Sequence, residues 1–153
     1  MRKKLVIILI TLLVLGFVGG IGVLAYKNNQ KSIQNTDSNI EDIVFDEEKV
    51  NMYLFWGDGC PHCEELMKFL DNIEEEYKDL YNLYKFEVWH NEDNSQLMDQ
   101  VADKFGKEAN GVPFLVIGEE SFIGYNEVMN KDIKKAIKEQ VKNDFDVYQE
   151  LNK

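Results

Sequence analysis

Cysteine is nearly absent from this chain of 153 residues: there are two, both inside W-G-D-G-C-P-H-C-E-E-L at 56–66. Histidine is as scarce, so the candidates for a metal site reduce to Cys60, Cys63, His62 and His90. A structural zinc needs about four converging ligands. His62 lies inside the cysteine pair, where it cannot easily converge with both thiolates. Covalent haem attachment needs C-x-x-C-H, and Glu64 follows Cys63, which excludes it. No cysteine stands near the end of the apolar run described below, which excludes a lipoprotein anchor. No internal repeat is visible, and no motif calls for a cofactor.

Positive charge is also in short supply. The net charge is −11. Arg2, Lys3 and Lys4 are basic and residues 5–26 uncharged, so the body of the chain carries about −14. Such a body repels phosphate backbones, which argues against nucleic acid as a partner. It equally repels anionic lipid head groups, which argues against the body lying flat on a membrane.

What is present at the N-terminus is a long hydrophobic run. Residues 5–26, L-V-I-I-L-I-T-L-L-V-L-G-F-V-G-G-I-G-V-L-A-Y, suffice to span a bilayer core. The basic residues before it and the acidic body after it put the N-terminus in the cytoplasm and the body outside. Residues 1–26 therefore read as a single-pass cell-membrane anchor. Val23-Leu24-Ala25 keeps open a cleaved signal segment and a secreted domain. Both place the body where disulfides form and persist. Gly16 and Gly20 have the spacing of a helix-dimerising pair, but glycine is frequent in membrane helices anyway. Residues 27–44 read as a flexible linker with a typical span of about 20 Å.

The globular domain is expected over 45–150. Residues 50–56 read as a buried strand ending at Gly57. A helix follows the cysteines, with Leu66, Phe69, Leu70, Ile73, Tyr77 and Leu80 on one face. A second strand is expected at 82–89 and a helix at about 94–105. A strand at 111–118 opens on a proline, and 121–124 can pair with it across a turn. A last helix is expected over about 127–149, from Ile133, Ile137, Val141, Phe145 and Tyr148. The order β-α-β-α-β-β-α implies an α/β fold with a mixed central sheet flanked by helices.

The cysteine pair has a redox reading beside the alternatives of half a metal site and of two small core residues. Pro61 suits the first position of a helix, where its missing N–H is not needed. Cys60 then stands at the N-cap, its sulfur facing free amides and the positive end of the helix dipole. Both favour the thiolate. Cys63, one turn later, can resolve a mixed disulfide. His62 adds a partner if its imidazole points at the Cys60 sulfur, and is otherwise a solvent-exposed side chain. His90 reads as a surface residue.

W-G-D-G-C-P-H-C, K-F-G at 104–106 and G-V-P at 111–113 together resemble the thioredoxin superfamily over roughly residues 45–145. The resemblance implies a thioredoxin-like fold, a cis Val112-Pro113 bond beside Cys60, and catalytic roles for Cys60, Cys63, Pro61, His62 and Pro113. It further implies that Val112 and Trp56 contact substrate. The Pro-His dipeptide is similar to that of exported Dsb-type oxidases, whose potential lies near −120 mV against about −270 mV for thioredoxin.

Two departures stand out. Only some thirty residues separate the first helix from Pro113, which leaves no room for the helical insertion of those oxidases. Leu54 occupies the place where the family often buries a carboxylate, so proton handling would fall to Asp58 or to water. The expected function is extracytoplasmic thiol–disulfide exchange with exported proteins, in the oxidising direction, with recycling by a separate redox partner. The alternatives are an accessory binding module for export or assembly at the membrane, and more distantly a Cu(I) carrier.

Overall fold

A computed structural model describes residues 37–153. The anchor expected over 5–26 and the linker up to residue 36 lie outside the described residues. Among the described residues, no helix is long and apolar enough to cross a membrane.

The core is built on one short strand. β1 (Val50–Trp56) is buried at all seven positions because both of its faces are covered. Its even positions, Met52, Leu54 and Trp56, join Leu115 and Ile117 under two helices, α1 (Pro61–Tyr77) and α3 (Asn130–Gln140). Its odd positions, Tyr53 and Phe55, join Tyr84, Phe86, Phe114 and Val116 under α2 (Glu92–Lys104) and the short α4 (Val147–Leu151). Period-two alternation sends successive side chains to opposite faces. A strand that is apolar at nearly every position therefore demands helices on both sides. Each large aliphatic or aromatic side chain so buried contributes about 1.5–3 kcal/mol.

The sheet order is β2-β1-β3-β4. β2 (Tyr81–Glu87) runs parallel to β1, with Trp56 level with Glu87. β3 (Phe114–Ile117) and β4 (Glu120–Ile123) are antiparallel to their neighbours. α1 makes the crossover between β1 and β2, so the carboxyl ends of both strands and the N-terminus of α1 lie at one end of the sheet. Phe55 sits level between Phe86 and Phe114, with ring centroids 5.6 and 5.9 Å away.

Strand and helix ends shift from the sequence expectation by one to three residues, with Leu80 beyond the end of α1 and β3 beginning only at Phe114, and two stretches differ more. The linker was expected to run through residue 44, yet residues 37–44 are hydrogen-bonded to the domain. Ser38 donates its backbone N–H to the Lys85 carbonyl at 2.8 Å and accepts the Lys85 N–H on its hydroxyl at 3.0 Å. The Val44 N–H donates to the Tyr84 hydroxyl at 2.8 Å. The single helix expected over 127–149 is divided into a 3-10 turn (Glu127–Met129), α3 and α4. The break falls at Asn143-Asp144-Phe145-Asp146. The Asn143 side chain accepts the Phe145 N–H, and Asp146 caps α4 by accepting the Gln149 N–H. Short polar side chains that bond nearby backbone compete with the helix and end it.

Asp146 also ties the end of the chain to β1. Its Oδ2 accepts the Tyr53 hydroxyl at 2.7 Å and the Asn51 amide at 2.9 Å, all three groups being buried. Burial and the Asp146 carboxylate together push the Tyr53 hydroxyl far above the usual tyrosine range. Replacing Asp146 by Ala takes the acceptor from the buried Tyr53 hydroxyl and one of its acceptors from the Asn51 amide, which keeps the Val44 carbonyl, and removes the cap of α4. The expected cost is about 2–3 kcal/mol, read as a lower midpoint in chemical denaturation.

Candidate functional site

The two cysteines meet where β1 hands over to α1. Cys60 is the N-cap of α1 with extended backbone, Pro61 is its first residue, and Cys63 lies on its buried face. They form a disulfide with Cα atoms 5.3 Å apart, inside the range such a bridge requires. The Cys63 N–H donates to the Cys60 sulfur at 3.2 Å. That N–H is shared, since it also donates to the Cys60 carbonyl at 3.1 Å. Cys60 is 5 % exposed and Cys63 1 %, so the outer sulfur is the first of the pair.

The opposite wall comes from the turn before β3. The Val112-Pro113 peptide bond is cis, the geometry that the resemblance implied. The Val112 carbonyl oxygen lies 3.9 Å from the Cys60 sulfur. Val112 is half-buried, whereas Pro113 is buried. Trp56 is buried in the same apolar cluster as both cysteines. Leu54, at the place where the resemblance implies a buried acid, is fully enclosed and apolar.

His62 takes the solvent-exposed alternative. Its Nδ1 lies 3.3 Å from a Glu65 carboxylate oxygen and its side chain is 65 % exposed, so its partner among the described residues is Glu65. Asp58 and Pro61 are exposed as well. His90 sits at the surface, with Nδ1 3.4 Å from Glu87.

The tripeptide before Cys60 is shaped by two glycines. Gly59 has φ +76°, a conformation that L side chains rarely adopt. A Cβ on Gly57 would fall 2.3 Å from the Trp89 ring, so the indole lies directly on the backbone there. Trp89 is 55 % exposed and forms part of the surface beside the disulfide loop.

Sequence reasoning missed two carboxylates. Glu87, at the end of β2, is buried, 8 % exposed, and accepts three backbone N–H groups: Asp58 at 3.2 Å, Trp89 at 2.9 Å and His90 at 2.8 Å. Asp37 accepts the Trp56 indole N–H at 3.3 Å, the Glu87 backbone N–H at 2.7 Å and the Asn94 amide at 3.4 Å. The available signal for Glu87 was a lone acid between Phe86 and Val88-Trp89, at the carboxyl end of a strand parallel to the one that carries the cysteines. Asp37 gave no signal, because it lies in a polar stretch that reads as linker.

No family model matches the chain, and no curated protein matches it. Solved structures do. An uncharacterized thioredoxin-like protein from Clostridium perfringens is 24 % identical, with a TM-score of 0.50 over 74 % of this chain and 90 % of that one. Oxidized thioredoxin O2 from Arabidopsis thaliana is 17 % identical, with a TM-score of 0.44 over 57 % and 74 %. Mitochondrial thioredoxin 3 from Saccharomyces cerevisiae, also oxidized, is 21 % identical, with a TM-score of 0.43 over 60 % and 79 %. The fold of this chain is thioredoxin-like.

Burial pushes the Glu87 carboxyl up, but the N–H groups of His90, Trp89 and Asp58 outweigh it and hold the acid below its ordinary range. The ionisable side chain in contact with it is His90. A depressed folded-state pKa stabilises the fold above the unfolded value, near 4.3, and that stabilisation is lost as pH falls through the folded value. Denaturation midpoints measured from pH 6 down to pH 3 should therefore fall less steeply in Glu87→Gln than in the parent chain.

Proposed function

We propose that this chain is an extracytoplasmic thiol–disulfide oxidoreductase that oxidises cysteine pairs of exported proteins through Cys60 and Cys63. In this reading residues 5–26 hold it at the cell membrane, and a separate redox partner restores its disulfide. The observation that carries the reading is the Cys60–Cys63 bridge at the start of α1, with the Cys63 N–H on the Cys60 sulfur and the Val112 carbonyl beside it.

The chemistry follows from that placement. A substrate thiolate attacks the Cys60 sulfur. The Cys60–Cys63 bond breaks, its electron pair leaves on Cys63, and a mixed disulfide joins Cys60 to the substrate. The substrate's second thiolate then attacks its own bridged sulfur and expels Cys60 as a thiolate. The substrate has lost two electrons and two protons, and the cysteine pair has gained the electrons. Expulsion of Cys60 is fast when its thiolate is stable, because the better leaving group is the weaker base. The helix amides and dipole supply that stability.

The oxidising direction draws support from the same feature. Whatever stabilises the Cys60 thiolate stabilises the reduced pair and makes the disulfide a stronger oxidant. The Pro61-His62 dipeptide of the Dsb-type oxidases agrees with this. His62, turned toward Glu65, contributes less than a direct imidazole–sulfur contact would. Val112 and Pro113 flank the sulfur that receives the substrate, with the Val112 carbonyl at the opening.

The test is oxidation of a reduced, unfolded model protein by purified full-length chain, followed by free-thiol titration and recovery of the model protein's activity. Cys60→Ser should reduce turnover to the uncatalysed rate. Cys63→Ser, offered the model protein in its disulfide form, should accumulate a mixed disulfide, as Cys60 attacks the bridge and expels one substrate thiolate with no Cys63 there to follow. Full activity in Cys60→Ser would remove the enzymatic reading and favour the accessory module, in which the cysteines serve only structure.

A further inference from the structure

The three residues that deliver Cys60 to the helix are poorly suited to holding it still. Gly57-Asp58-Gly59 contains two glycines, the least restrained residues of a chain. A Cβ built on Gly59 would meet nothing within 4 Å, and Asp58 is exposed. Within the tripeptide the Gly57 carbonyl accepts the Cys60 N–H at 3.1 Å, which closes the turn but anchors it to nothing else. The Asp58 N–H reaches across to β2, where it donates to Glu87 Oε1. The same oxygen takes the Trp89 N–H, and Oε2 takes the His90 N–H. One carboxylate thus joins the loop before the cysteines to the loop after β2. It also fixes the segment that carries the Trp89 ring lying on Gly57.

We propose that Glu87 is a positioning residue for thiol–disulfide exchange: by clamping the Asp58 N–H it sets where the Cys60 sulfur stands against the amides of α1. The proposal rests on the exchange reading above and extends it to a residue that touches neither sulfur. Asp37 supports the clamp from behind. It accepts the Glu87 backbone N–H and the Trp56 indole N–H, so the strand ends that carry Trp56 and Glu87 are locked together. The clamp does not serve as the missing proton carrier at the place of Leu54. An anion held by three backbone N–H groups takes up a proton only at the expense of the N–H bond on the oxygen that receives it.

The experiment follows the reactivity of Cys60 in the reduced full-length chain. The alkylation rate by iodoacetamide is measured against pH, beside the exchange rate with a small aromatic disulfide at pH 7. Loosening the loop withdraws the sulfur from its amides, so Glu87→Ala should move the alkylation midpoint of Cys60 upward. Exchange should slow, by up to about a hundredfold for a displacement of ~1 Å. Loss of a nearby negative charge without loss of position would move the midpoint downward. Glu87→Gln, which keeps one acceptor oxygen, should recover part of the rate. A midpoint in Glu87→Ala that is unchanged or lowered, with the protein folded at the assay temperature, overturns the proposal.

Should Glu87→Ala not fold, the Gln variant carries the comparison, and the parent chain is examined by amide hydrogen exchange. An Asp58 amide protected well beyond that of Gly59 supports the clamp, and one that exchanges like a free loop amide overturns it. The alkylation midpoint is read on the thiol itself. An absence of exchange activity in the parent chain would therefore count against the function proposed above while leaving the positioning role measurable.

Discussion

One sulfur at the start of one helix organises the functional end of this molecule. Cys60 caps α1 and receives the N–H of Cys63, the residue to which it is also bonded. A helix start leaves amides unpaired and carries partial positive charge, which favours an anion on the Cys60 sulfur once the pair is reduced. Pro61 makes the arrangement inexpensive, because its fixed φ suits the first helical position and no N–H is lost. The same placement keeps Cys63 on the buried face, so the two sulfurs differ in access although only two residues separate them.

The rest of the fold holds that sulfur in place from several directions. β1 is enclosed on both faces, which fixes the strand that leads into the loop. Val112 and Pro113, from the turn before β3, close the site opposite Cys60. Trp56 packs among the same apolar side chains as both cysteines, and its indole N–H is spoken for by Asp37. The buried carboxylate of Glu87 binds the loops that leave the carboxyl ends of β1 and β2. An apolar strand provides rigidity but no direction for a glycine-rich loop. The directional bonds come from these two acids.

Much of this was legible in the order of the residues. The run at 50–56, apolar apart from Asn51, marked a buried strand, and the cysteine pair with Pro61 marked the helix that follows. G-V-P at 111–113 was read as the opening of a strand at 111–118, whereas β3 begins only at Phe114 and these three residues form the turn before it. The C-terminal region was read as one helix because Ile133, Ile137, Val141, Phe145 and Tyr148 keep helical spacing. That spacing persists across a break made by Asn143 and Asp146, whose side chains bond the backbone beyond them. Glu87 and Asp37 escaped notice for a different reason. Their partners are backbone amides, an indole and the Asn94 side-chain amide, the last 57 residues away, and periodicity carries no information about such contacts. Residues 37–44 read as linker because they lack periodicity, yet Ser38 and Asp37 bond along the free edge of β2.

The account turns on the Cys60 thiolate being stabilised by its place at the helix start. Ultraviolet absorbance of the reduced full-length chain near 240 nm, followed from pH 3 to pH 10 and compared with Cys60→Ser, reads that anion directly. The account predicts a Cys60 midpoint clearly below the value of about 8.5 for an ordinary thiol. A midpoint at or above that value would contradict it.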